Sequence, residues 1–133
     1  MDLADQKKTA SEKLVTLREG DYSTPALVDL ARIERKSATD LVGSLTSGRE
    51  RFEREADRLR AFRFRCVVVE SSAAKVSRLG RIHPHALLGS LCSLHARWGI
   101  PVLFLESPEA VGRYIAGVFR RLEEEHAAGR WAA

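Results

Sequence analysis

One stretch, FRCVVVE from Phe64 to Glu70, constrains the fold more than any other. A strand with one face in water alternates apolar and polar side chains, and three adjacent valines do not. Such a strand needs cover on both faces, which a sheet layered between helices supplies. IPVLFLES, from Ile100, reads as a second buried strand. Helical patterns lie between and beyond these runs. RIHPHALLGSLCSLHARWG opens with Pro84 at a helix start, shows Leu87, Leu88, Leu91 and Leu94, and closes at Gly99. PEAVGRYIAGVFRRLEEEH is amphipathic through Val111, Ile115, Val118, Phe119 and Leu122, and AAGRWAA reads as a tail.

Upstream, KLVTLREGDYS alternates from Leu14, turns at Gly20 and reads as a strand ending near Tyr22. STPAL is a loop, and VDLARIERK, with Val28, Leu30 and, after a shift, Ile33, reads as an antiparallel second strand. Ser37 is a good N-cap for a helix through DLVGSL, which TSG at Thr46 breaks. A longer helix follows with Phe52, Ala56, Leu59 and Phe62 on one face. The order β-β-α-β-α-β-α predicts an α/β fold, a mixed central sheet flanked by helices. The 133 residues allow one domain, over 14–126, between a polar segment at 1–13 and a tail at 127–133.

No apolar run reaches the length of a membrane span, and the polar start MDLADQKKTASEK has no secretory h-region. Cys66 and Cys92 sit far apart in apolar runs, so both are expected to be buried free thiols in a reducing cytoplasm. The formal charge of +4 and pI near 9.4 suit a polyanionic partner. Between Arg49 and Arg65 stand seven arginines and four acids, and arginine forks onto phosphate oxygens.

Asp21, Glu34, Arg35, Lys36 and Asp40 fall together around the first two strands. Residues two apart in a strand share a face, so Glu34 and Lys36 emerge together. A hairpin pairing Asp21 near Glu34 would gather two carboxylates and an ammonium. Hard divalent cations favour such oxygens; Mg²⁺ is typically held by one or two carboxylates plus water and phosphate. A lysine beside them can orient or deprotonate an attacking water. The D-x12-E-x-K spacing is the skeleton of restriction-endonuclease-like sites.

With their flanks, GDY and IERKSATDLVGSLTSGRERFERE closely resemble the nuclease domain of the XPF/Hef family of structure-specific DNA endonucleases, whose motif is GD…ERKxxxD. Weaker similarity continues through VVVE and WGIPVLFLES, from Leu14 to Phe119. The resemblance implies a Mg²⁺- or Mn²⁺-dependent endonuclease on branched, flapped or junction DNA, a homodimer or a heterodimer with a related subunit. It places Asp21 and Glu34 on the metal, Lys36 at the water or the developing charge, and Arg35 and Asp40 in support. Arg35, Arg49 and Arg51 are the expected DNA contacts. The rival is a catalytically inactive DNA-binding or scaffold subunit of the same fold.

Two features depart from the family. Its members begin with a strand of the type V-D-x-R-E, and nothing like it precedes Leu14; Asp2 and Asp5 sit in a polar segment. Either the start is placed too late or that strand is lost. Many relatives also carry a helix-hairpin-helix module after the nuclease domain, and the sequence stops at Ala133 without one.

Plainer readings stand beside these. Asp21 can be a turn residue, and Ser37-x-x-Asp40 is a capping box. Arg35 can point away into an ion pair, and Glu34 and Lys36 can be an exposed strand pair. The charges of Arg49–Arg58 suit a solvated helix face with i,i+4 pairs. His83 and His85 suit a cap or the surface more than zinc. Glu70 ends a buried strand near the site edge, and Trp98 and Phe119 read as core.

Overall fold

The computed structural model of the chain describes residues 15–18 and 21–131, with side chains from 21 onward. Five strands form one sheet in the order β1-β2-β3-β4-β5. β1 (Val15–Arg18) pairs antiparallel with β2 (Asp21–Ser23), and β2 pairs antiparallel with β3 (Ala31–Ser37). β4 (Phe64–Glu70) runs parallel to β3 along its whole length, and β5 (Val102–Leu105) runs parallel to β4 at the far edge. The sheet is therefore mixed, as the sequence implies.

Two parallel crossovers stepping the same way across a sheet keep their helices on one face. The first holds α1 (Ala38–Leu45) and α2 (Arg49–Leu59). The second holds α3 (Ala73–Gly80) and α4 (Pro84–Trp98). Their apolar residues Leu41, Phe52, Ala56, Val76, Leu94 and Trp98 bury Val67 and Val69 of β4. On the other face α5 (Pro108–Ala127) lays Val111, Ile115 and Phe119 over Ile33, Cys66 and Val68. The valine run is covered on both sides, which explains its lack of alternation.

Several details differ from the sequence reading. The stretch read as one strand through Tyr22 is a hairpin of two, β1 and β2; Leu14 and Gly20, and the N-terminal segment with Asp2 and Asp5, lie outside the described residues. Val28 and Leu30 are not in a strand. Pro25 starts a 3-10 turn over Pro25–Leu27, in which the Leu27 amide donates to the Thr24 carbonyl at 3.1 Å, and a further turn follows in which the Leu30 amide donates to the Leu27 carbonyl at 2.9 Å. The helix α3, capped by the Ser72 hydroxyl, was not read at all. Phe62 lies beyond α2 but still packs on the core below it. β5 is half-buried rather than buried, because an edge strand has a partner on one side only. Cys66 is buried but Cys92 is exposed on α4. The last turn is tied back: Trp131 packs on the α5 side, and its carbonyl accepts from Arg63 at 3.2 Å. No helix among the described residues is long and apolar enough to cross a membrane.

Candidate active site

The short strand β2 sets Asp21 directly opposite Glu34 of β3. In antiparallel pairs such partners share a face with Cβ atoms about 5 Å apart. Lys36 follows on that face, its Nζ 3.3 Å from a Glu34 carboxylate oxygen, with the two side chains only 11% and 13% exposed. Phe52 of α2 lies beneath the ammonium, its ring centroid 5.0 Å away. Burial pushes the Glu34 carboxyl above its ordinary pKa; Lys36 opposes this, and Asp21 and Glu55 add to it.

A cavity of about 410 Å³ opens along this edge, lined by Asp21, Arg32, Glu34, Glu55, Asp57 and Arg58 among others. Its far wall is the C-terminal half of α2 and the turn after it. Glu55 pairs with Arg51 at 3.7 Å, as i,i+4 spacing suggests. Asp57 accepts a 2.7 Å hydrogen bond from the Trp98 indole. Glu55 and Arg32 were not singled out from sequence. Arg32 carried a signal, since it sits two residues before Glu34 on the same strand face. Glu55 reaches the cavity only because α2 crosses the strand edge, a non-local fact.

Arg35 is on the opposite face of β3, ion-paired with Glu70 of β4. The fold thus separates it from the Asp21–Glu34–Lys36 group, and Glu70 is its partner rather than a neighbour of the cavity. Asp40 is exposed in the first turn of α1, where its backbone amide donates to Ser37 Oγ at 3.1 Å. Arg49 stands at the other end of α2, 3.7 Å from Glu53 and beside Arg97 and Trp98. Arg51 is 81% exposed. His83 caps α4 by accepting from the His85 amide at 3.1 Å, in line with the plainer reading of that pair.

The central parallel sheet extended by an antiparallel hairpin matches nuclease domains of the XPF type. The ERCC4 domain matches residues 5–118, and the chain belongs to that family. A Methanocaldococcus jannaschii protein named as an ATP-dependent RNA helicase is 31% identical over 100 residues, 75% of this chain and 12% of that protein. XPF from Aeropyrum pernix in complex with DNA is similar at TM-score 0.65 and 25% identity, covering 82% of this chain and 51% of that one. XPF from the same organism in a second structure gives TM-score 0.66 and 26% identity, over 80% and 48%. The chain spans about half of these XPF chains and an eighth of the curated relative.

Proposed function

We propose that the chain is a divalent-metal-dependent endonuclease domain that hydrolyses phosphodiester bonds of branched or flapped DNA. The observation that carries this reading is the Asp21–Glu34 register along one cavity, with Lys36 held 3.3 Å from Glu34. The donors are carboxylate oxygens without histidine or cysteine, which suits Mg²⁺ or Mn²⁺ and not zinc. Among the described residues no group of three or more His, Cys, Asp or Glu stands as a metal cage. Two carboxylates, Asp21 and Glu34, would then hold the ion and leave its other positions to water and phosphate oxygens. When bound, it would supply an acidified water and neutralise charge at the scissile phosphate.

The protein's own groups do the rest. Glu34 and Lys36 hold each other on a rigid strand, so the ammonium is presented at the same edge as the carboxylates. From there Lys36 orients the attacking water or stabilises the pentacovalent phosphorus. Phe52 and α2 keep bulk water from the back of the pair, which strengthens its electrostatics. Arg35 supports β3 from behind through Glu70, and Asp40 sits in the turn that sets the end of β3. DNA as the substrate is favoured by the Aeropyrum pernix XPF structure with DNA and by the arginines of α2.

The test is cleavage of a labelled panel of flaps, forks and junctions with Mn²⁺ or Mg²⁺. Cutting that EDTA stops, and that Glu34→Ala and Lys36→Ala abolish while DNA binding stays within a few-fold, is expected. DNA binding without cutting on every substrate would replace this reading with the inactive scaffold.

A further inference from the structure

We propose that Arg32 is a phosphate-binding residue, gripping the backbone of the DNA strand in the cavity beside Asp21 and Glu34. The inference deepens the endonuclease reading and rests on it for the identity of the ligand. Arg32 shares the face of β3 that carries Glu34 and Lys36, and it lines the cavity. Its guanidinium lies 4.1 Å from the Phe62 ring centroid, and Nη2 donates to the Val28 carbonyl at 3.0 Å. The Nε–H is buried and has no hydrogen-bond partner.

Among the described residues three buried side-chain atoms are left in that state, Thr24 Oγ1, Arg32 Nε and Glu123 Oε1, and only the arginine lines the cavity. Leaving a buried donor unmet costs about 1–3 kcal/mol, more when it is charged. Three of the nearby acids are engaged elsewhere. Glu34 faces Lys36, Glu55 faces Arg51, and Asp57 takes the Trp98 indole. Stacking on Phe62 and the bond to Val28 hold the guanidinium plane before any ligand arrives. That saves ordering entropy and leaves the Nε edge for an acceptor.

An anionic oxygen suits such a donor, and a phosphodiester supplies one. Arg58 stands in the same lining as a second cation among the carboxylates, and Arg51 pairs with Glu55 at its edge.

The experiment uses the full chain with Arg32→Met and Arg32→Lys. Binding of a labelled flap DNA is followed by anisotropy in EDTA across a salt series, and melting curves check the fold. The Met variant is expected to melt within a few degrees of wild type, bind about tenfold more weakly, and lose about one unit of salt slope. The Lys variant keeps the charge and therefore the slope, but loses the Nε–H donor and the planar stack on Phe62, and binds several-fold more weakly. In Mn²⁺ both raise KM more than they lower kcat. A folded Met variant with wild-type affinity and slope overturns the proposal. Should the Met variant unfold, wild-type affinity in the Lys variant overturns it equally. Failure of the endonuclease reading shows separately, as wild-type protein that binds in EDTA and never cuts in Mn²⁺.

Discussion

Glu34 concentrates the strain of the site in one side chain. Its carboxyl is held above the ordinary range chiefly by burial. A pKa raised on folding gives stability that is complete below the unfolded value and lost as pH rises through the folded one. Glu34→Gln should therefore raise the melting temperature by a few degrees at pH 7, and the gain should vanish on acidification below the ordinary glutamate range. Melts across pH 4–8 check it. Lys36→Met acts in the opposite sense at neutral pH. It strips the cation from a carboxylate that is almost wholly buried, at about 1–3 kcal/mol, read from urea denaturation. The two cysteines differ just as sharply. Burial pushes the Cys66 thiol up to about 12, while Cys92 is exposed. Native protein should take up one maleimide, at Cys92, by peptide mass mapping; a second label on Cys66 would contradict the burial of β4.

Among the elements, α4 ends on a joint that no local pattern announces in full. Gly99 adopts the left-handed conformation, φ 66°, as a C-cap. Arg65 reaches across from β4 to donate to the Trp98 carbonyl from Nε and Nη2, at 3.2 and 2.9 Å, and to the Phe62 carbonyl at 2.8 Å. Gly99→Ala should cost at least about 1–2 kcal/mol, since its Cβ would also collide with the Arg65 guanidinium; chemical denaturation measures it. Arg65 is thus engaged within the fold, as Arg35 is by Glu70. What the sequence made legible was local or compositional. The valines demanded two-sided cover, and the spacing across the turn before β3 put Asp21 opposite Glu34. Helix α3 is hard to read because its eight residues make barely two turns and bury only Val76 and Ser77. Glu55 joins the site only through the way α2 lies over β3, which no spacing along the chain reveals, whereas Arg32 is legible from its place two residues before Glu34.

For the whole molecule, the resemblance to XPF proteins implies pairing through the nuclease domain, and α4 and α5 are the two helices whose sequences carry an apolar stripe for it. The apolar stripe of α5 is spent on the sheet, with Val111, Ile115 and Phe119 buried. On the other side Leu88 of α4 is 59% exposed and Leu79 of α3 is 51% exposed. If the chain forms a dimer, α4 is the helix with apolar surface to give it. Sedimentation across the micromolar range should then show a dimer that Leu88→Asp shifts toward monomer; a strict monomer at every concentration removes pairing from the account. The same architecture also sets how long the site stays assembled. Glu34 and Lys36 stand on seven residues paired along their length with β4. Asp21 stands on three, matched to β3 at two positions and pinned by the Ser23 hydroxyl on the Ala31 carbonyl at 2.9 Å. The shorter strand can open without the rest. Amides of Tyr22 and Ser23 should exchange with deuterium well before those of β4, and Mn²⁺ should slow them selectively. The clock for release of anything bridging the two carboxylates is then the breathing of a three-residue strand.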